Sequence, residues 1–102
     1  MRVTRRPLFI PLKREWFEAF KSGNNKREWR RYGPRWNKGT CTPRRRVTLS
    51  LGYSGARLYG RVSSFRTARA KGAAASIYGK GTKCAVIGIK LTARAVRRRR
   101  LA

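Results

Sequence analysis

The sequence contains no histidine and no aspartate, and its only acidic residues are three glutamates. Acid–base catalysis needs groups that titrate near neutral pH, and histidine is the side chain that does so without help from its surroundings. The two cysteines, Cys41 and Cys84, are too few for a zinc site when no histidine is present, so we expect no metal and no cofactor. We expect both cysteines to be buried reduced thiols, with a disulfide between them as the alternative.

Long apolar runs are also absent. No stretch of 18 apolar residues exists, so the sequence predicts no membrane span and no membrane partner. The chain starts with basic residues at 1–6, but the apolar stretch Leu8–Ile10 is too short for the core of a signal peptide. The expected location is therefore the cytoplasm.

Positive charge dominates the composition. Lysine and arginine number 28 and the formal net charge is +25, which repels itself in a compact chain and favours a polyanionic partner. The chain is nevertheless 40% hydrophobic and contains three tryptophans, four tyrosines and four phenylalanines, so it can build one modest core. We expect a single domain over 1–92, followed by a basic tail over 93–102.

Hydrophobic periodicity places the secondary structure. Leu12, Trp16 and Phe20 are spaced by four, which predicts an aromatic stripe on one helical face. Alternation predicts that Lys26, Glu28 and Arg30 share one face of a strand. The predicted elements are a strand over 7–12, a helix over 13–22, and strands over 26–32, 46–51, 57–66 and 84–91. The segments between them are predicted as a loop over 35–45, a turn over 52–55, a loose connection over 67–76 and a turn over 79–81.

The aromatic residues divide into two groups. Trp16, Phe17, Phe20 and Phe65 are expected in the core, although alternation in 57–66 puts Phe65 on the face opposite Leu58 and Val62. The other aromatic residues are interleaved with arginines, a composition that suits single-stranded RNA because bases stack on rings while phosphates pair with cations. This second group contains Trp29, Tyr32, Trp36, Tyr53 and Tyr59, and the alternative for Trp29 and Trp36 is a place in the core.

The segment 11–37 carries a family resemblance. It reads Pro-Leu-Lys-Arg-Glu-Trp-Phe-Glu-Ala-Phe-Lys-Ser-Gly, then Lys-Arg-Glu-Trp-Arg, then Tyr-Gly-Pro-Arg-Trp-Asn. With Arg-Leu-x-Gly-Arg-Val at 57–62 and Ala-Val-Ile-Gly-Ile at 85–89, this resembles the ASCH domain family. In the family's Gly-x-Lys-x-x-Glu-x-Arg motif, Gly23, Glu28 and Arg30 hold their positions, the lysine position falls on Asn25, and Lys26 follows it.

The order of the elements predicts a mixed α+β, mainly β fold, a small barrel or curled sheet with one principal N-terminal helix, and the resemblance implies that the barrel is PUA-like. The arginine run predicts that the basic C-terminal tail is disordered. The resemblance also implies a cleft between helix and barrel that binds RNA or a nucleotide-like ligand. Some family members hydrolyse modified nucleosides or cut RNA, so Lys26 and Glu28 are the catalytic candidates. The predicted binding residues are Lys13, Lys26, Glu28, Arg30, Arg35, Trp36, Arg97, Arg98, Arg99 and Arg100.

Glu28 is the carboxylate on which any chemistry would depend. The cations beside it are expected to lower its pKa, which makes it a poor general base and favours binding over turnover. Glu28 either forms an ion pair that orients Arg30, or it acts as a general base or as a hydrogen-bond acceptor for a nucleobase. Glu15 and Glu18 are expected as helix-surface charges that pair with neighbouring bases.

Three functions therefore stay open. The leading expectation is a protein that binds RNA or single-stranded nucleic acid, with the basic tail contacting phosphates without reading sequence. The alternatives are a hydrolase of modified nucleosides or RNA in the same fold, and a structural component of a ribosome or other ribonucleoprotein.

Overall fold

The computed structural model describes residues 5–92 of the chain. They form a mixed α+β structure made mainly of strands, as the sequence predicts. The elements in chain order are β1 (Leu8–Leu12), α1 (Arg14–Ser22), β2 (Arg27–Arg31), β3 (Arg46–Leu51), β4 (Arg57–Arg69), α2 (Ala73–Tyr78) and β5 (Lys83–Leu91). The predicted tail over 93–102 lies outside the described residues.

All five strands belong to one curled sheet that forms half of a barrel. Their order is β1-β3-β4-β5-β2, so β1 and β2 are the two edge strands. β1 runs parallel to β3, and every other neighbouring pair is antiparallel. The parallel pair requires a crossover, which α1, β2 and the loop before β3 supply.

The helix α1 covers the inner face of this sheet. Phe17 and Phe20 are buried in the main core beside aliphatic side chains of β1, β3 and β5, and Trp16 packs against the same cluster. The helix ends at Gly23, whose φ of 87° lies in the left-handed region that glycine adopts without strain. The aromatic stripe predicted for this segment is therefore the surface through which α1 packs against the sheet.

A β-bulge in β4 resolves the two expectations for Phe65. The register with β5 shifts between Val62 and Ser64, so one extra residue is inserted before Phe65. A one-residue shift sends a side chain to the other face of a strand. Phe65 consequently packs against the main core on the side of Leu58 and Val62, and its predicted place on the opposite face is wrong.

The prediction of a loose connection over 67–76 is wrong at both ends. β4 continues to Arg69 because it pairs with β5 along its whole second half. The helix α2 follows, and its Ala74 is buried against Ala70 and Cys84. A helix of six residues is not stable in isolation, so this packing holds it in place.

The strand β5 is buried on both faces, whereas alternation predicted an apolar row on one face only. Cys84 to Ile89 are all buried. Part of the outer face is covered by α2, and Val86 lies in one cross-strand row with Arg66 and Trp29. The Arg66 guanidinium lies 6.0 Å from the centroid of the Trp29 ring. These two side chains therefore meet across the strand that carries Val86. No helix within residues 5–92 is long and apolar enough to cross a membrane.

Candidate functional site

A cleft of about 690 Å³ lies along the edge strand β2. The junction of β1 and α1 forms one wall with Lys13 and Trp16, and α2 forms the other wall with Ile77 and Tyr78. Residues of β2 line the space between the two walls. Ligand sites in proteins span roughly 300–1,000 Å³, so the cleft is large enough for a small organic ligand.

Two faces of β2 contribute to this cleft. Glu28 pairs with Ile87 across the ladder and Arg30 with Ala85, so both belong to the inner face, and the predicted sharing of one face by Glu28 and Arg30 is confirmed. Trp29 belongs to the outer face and packs with the smaller hydrophobic cluster beneath α2. The strand therefore presents an ion pair and an aromatic ring to the same cavity.

Glu28 and Arg30 form the one salt bridge found within residues 5–92. The Arg30 Nε donates to Glu28 Oε2 over 2.6 Å, and the side chains are 19% and 12% exposed, respectively. Within the same described residues, Glu28 Oε1 accepts no hydrogen bond. Arg30 thus holds one of the two carboxylate oxygens of Glu28.

Arg30 also links the two edges of the sheet. Its Nη2 donates to the backbone oxygen of Pro11 on β1 over 2.7 Å. Its guanidinium carbon lies 5.2 Å from the centroid of the Trp36 ring. The half-barrel is therefore closed at this point by a side chain rather than by a backbone ladder, and the three contacts fix the guanidinium.

The expected lowering of the Glu28 pKa is wrong. Burial of the carboxyl raises its pKa, and this effect outweighs the opposing charge and hydrogen bond of Arg30. The prediction counted Lys26 among the neighbouring cations, but Lys26 is exposed and does not line the cleft. Desolvation could not be judged from the sequence, because it depends on how deeply the fold buries the carboxyl.

Asn25, not Lys26, lines the cleft. Lys26 instead borders a second depression of about 440 Å³ between the end of α1 and the bulge of β4. The Asn25 side chain accepts a hydrogen bond from the Arg27 amide, at the first residue of β2, over 3.3 Å. The expected place of Lys26 beside Glu28 and Arg30 is therefore not the one observed.

The other predicted site residues are distributed unevenly. Lys13 lines the cleft, at the residue that precedes α1. Trp36 is half-buried against the main core and meets the site only through Arg30, and the Arg35 guanidinium lies 5.3 Å from the same ring. The remaining predicted residues, Arg97, Arg98, Arg99 and Arg100, lie outside the described part of the chain.

The wall formed by α2 was not predicted. It brings Lys71, Ile77 and Tyr78 to the cleft, and the Tyr78 hydroxyl donates to the backbone oxygen of Trp29 over 3.2 Å. Two signals were available in the sequence: the run of alanines, which favour helix, and the glycines Gly72 and Gly79 at its ends. The segment is so short that neither signal identifies a helix without the tertiary contacts.

The charge of the cleft is mixed but mainly positive. One carboxylate, Glu28, faces four cations among the lining residues, and three of these, Lys13, Arg27 and Lys71, are exposed. The fourth cation, Arg30, is half-buried. Low-dielectric walls concentrate such a field, so the cleft attracts anionic groups to its rim and offers one acceptor inside.

The remaining acidic and thiol groups do not form a second site within residues 5–92. Glu15 and Glu18 are exposed on α1 and form no salt bridge there, so the expected surface position is confirmed and the expected pairing is wrong. Cys41 and Cys84 are free and buried, so the expected reduced thiols are confirmed. Burial also raises the pKa of the Cys84 thiol, which disfavours its reactive thiolate form.

No protein-family model matches the chain, and no curated protein matches it.

Proposed function

We propose that the chain binds RNA or another single-stranded nucleic acid and holds one nucleobase in the cleft along β2. The observation that carries this proposal is the combination of aromatic walls, an exposed basic rim and a buried carboxylate within one cavity. Two of these elements are the ones through which proteins bind single-stranded nucleic acid, namely rings that stack on bases and cations that contact phosphates.

Glu28 gives the cleft an acceptor for a base. A carboxylate accepts hydrogen bonds from exocyclic amino groups, as it does from N4 of cytosine. Glu28 Oε2 is occupied by Arg30, and the fixed guanidinium holds the carboxylate in place. A base that presents an amino group to Oε1 is therefore favoured over one that presents only acceptors.

The rim supplies the affinity. Lys13, Arg27 and Lys71 are exposed around the cleft and lie where the phosphates of a strand entering it would pass. Phosphate contacts add affinity without reading sequence, and their strength falls as salt rises. The proposal thus separates a salt-sensitive rim from an interior that selects the base.

An ASCH-like domain of the PUA-like barrel type is part of the proposal. Its support is the motif itself: Glu28 and Arg30 both line the cleft, and so does Asn25, which occupies the family's lysine position. The half-barrel sheet and the helix against it agree with that architecture.

A second candidate, hydrolysis of a modified nucleoside or of RNA in the same cleft, is favoured by one observation. Burial raises the pKa of Glu28 and so brings it closer to the range of a general base. The family's catalytic lysine position holds Asn25, and for that reason binding is the leading proposal. Turnover of nucleosides or RNA that is lost in Glu28→Gln would establish the second candidate, and turnover unchanged by that substitution would remove Glu28 from the mechanism.

The test of binding is to fill the cleft. Ala73 is exposed at the first turn of α2 and lines the cleft, whereas Ser76 is exposed on the same helix and does not. With a fluorescein-labelled uridine–cytidine 12-mer at 50 mM salt, Ala73→Trp should weaken binding by about tenfold, the loss of roughly one base–ring stack. Ser76→Trp is the matched control and should bind as the wild type does. Equal affinity of both variants would refute the cleft as the site, and no binding by the wild type would refute the proposed function.

A further inference from the structure

A row of cations crosses the outer face of the sheet away from the cleft. Arg46 on β3 is the direct cross-strand neighbour of Arg61 on β4, and Arg61 is the neighbour of Lys90 on β5. All three are exposed, and like charges placed directly opposite one another destabilise a sheet. No acidic residue of the chain lies on these strands, since all three glutamates fall within 15–28. No acidic side chain on these strands neutralises the row, so its charge is available to a polyanionic partner.

Aromatic rings lie next to this row. Tyr59 precedes Arg61 by two residues on β4, so both side chains leave the same face, and Tyr59 shares a cross-strand row with Thr48 and Phe9. Tyr53, in the turn between β3 and β4, stacks on Phe9 with ring centroids 6.2 Å apart. Tyr53 is 78% exposed and Tyr59 47%, so they are two of the three large hydrophobic side chains exposed within residues 5–92.

The turn that carries Tyr53 is held in position. The Arg57 guanidinium donates to the backbone oxygens of Tyr53 and Gly55, each over 3.3 Å, and lies 5.2 Å from the centroid of the Phe9 ring. The turn also closes on itself through the Gly55 amide, which donates to Leu51 over 3.0 Å. Tyr53 is therefore presented at little further cost in ordering, which favours binding to its ring.

We infer that this outer face is a second binding surface for a single-stranded polynucleotide, with bases stacked on Tyr53 and Tyr59 and phosphates paired with Arg46, Arg61 and Lys90. These five residues are here called the cationic platform. The platform shares no lining residue with the cleft, so it extends the proposed function to a longer segment of the same strand.

Charge and shape together favour this occupant. An acidic peptide or an anionic lipid surface would satisfy the cation row but would leave the two exposed rings without a matching flat partner. A polynucleotide alternates a negative group with a flat ring along its length, and the platform presents both kinds of group on neighbouring positions.

The experiment measures anisotropy of the same labelled 12-mer against salt, with Ala73→Trp as background so that the cleft is filled. Tyr59→Ala should weaken binding about fivefold to 150-fold, the cost of one lost stack, and should leave the salt slope unchanged. Tyr59→Phe keeps the ring and should bind normally. Arg61→Gln should lower the slope of log K against log salt by about 0.7, the value of one phosphate contact on a single strand.

The matched charge control is Lys80→Gln. Lys80 is exposed in the turn before β5, whereas the platform lies at the other end of the β4–β5 ladder. The Lys80→Gln variant should show the same slope of log K against log salt as the Ala73→Trp background. If Tyr59→Ala melts early, Tyr53→Ala in the exposed turn replaces it, with the same expected loss.

Three outcomes would overturn the inference. Normal binding by Tyr59→Ala and Tyr53→Ala would mean that the face is only a charged surface, open to any polyanion. An equal fall in slope for Lys80→Gln would mean that charge position is irrelevant. Loss of all binding in the Ala73→Trp background would assign every contact to the cleft, which leaves the proposed function intact while the platform fails.

Discussion

Replacement of Glu28 by glutamine tests the energetic reasoning about the cleft. The substitution keeps the volume of the side chain and removes the charge of a carboxylate that is 12% exposed and bonded to Arg30 over 2.6 Å. The loss is the difference between a charge-assisted and a neutral hydrogen bond, about 1 kcal/mol. The gain is relief from desolvating a carboxylate, which costs several kcal/mol per ion.

The raised pKa of Glu28 shows which of these effects is larger. Burial destabilises the ionised form more than Arg30 stabilises it. The charge of Glu28 therefore lowers the stability of the folded state. Arg30 is not stranded by the substitution, because it keeps the Pro11 oxygen and the Trp36 ring. We therefore expect Glu28→Gln to be more stable than the wild type by about 1 kcal/mol at pH 7, which is a rise in Tm of roughly 4–8 °C for a domain of this size.

The direction of the Glu28 pKa shift determines how the stability of the protein changes with pH. A carboxyl whose pKa is higher in the folded state binds its proton more tightly there, so its contribution to stability is fully present below pH 4.5 and is lost as pH rises through the folded value. The stability difference between Glu28→Gln and wild type should be near zero at pH 4 and should grow towards pH 7. Glu18→Gln, on the exposed surface of α1, controls for the change in net charge.

Thermal unfolding followed by circular dichroism at pH 4 and pH 7 is the assay. The reasoning would be refuted if Glu28→Gln were less stable than wild type by about 3 kcal/mol or more at pH 7 and equally stable at pH 4. That result would mean that the ion pair stabilises the fold and that Arg30 depends on the charge of Glu28.

Three further substitutions test the fold around the site. Ser50→Ala should stabilise the protein by about 1 kcal/mol in urea unfolding, because the Ser50 hydroxyl is fully buried and has no hydrogen-bond partner within residues 5–92; a loss of stability would mean that the hydroxyl is bonded. Gly60→Ala should destabilise by about 2 kcal/mol or more in the same assay, because the added Cβ would lie 2.5 Å from the backbone oxygen of Lys90; Gly33→Ala, where nothing lies within 4 Å, is its control. Arg30→Lys should lower Tm by several degrees, since an ammonium cannot hold Glu28 and the Pro11 oxygen in the fork geometry of a guanidinium; an unchanged Tm would show that the link between the sheet edges carries no stability.

The parts of the fold that depend on local pattern could be predicted from the sequence. The stripe of Trp16 and Phe20 identified α1, and alternation placed Glu28 and Arg30 on one face of β2. Both patterns arise from neighbours three or four residues apart in a helix and two residues apart in a strand. The predicted boundaries of α1 and β3 accordingly lie within a residue of those observed.

The features that were missed depend on contacts distant in sequence. The bulge that redirects Phe65 is visible only in the register between β4 and β5. The bond from Arg30 to Pro11 joins residues 19 apart, and the pKa of Glu28 is raised by its burial in the folded chain. In each case the determining neighbour is set by the topology of the sheet, which local periodicity does not encode.

The central claim is that a base of a single-stranded nucleic acid enters the cleft along β2. Its most direct test is ultraviolet crosslinking of the wild-type protein to the uridine–cytidine 12-mer at 50 mM salt, followed by mass spectrometry of the crosslinked peptides. The claim predicts crosslinks at Trp29 or Tyr78, the rings beside the Glu28 carboxylate. Crosslinks found only on residues that do not line the cleft, from a probe that is fully bound, would contradict it.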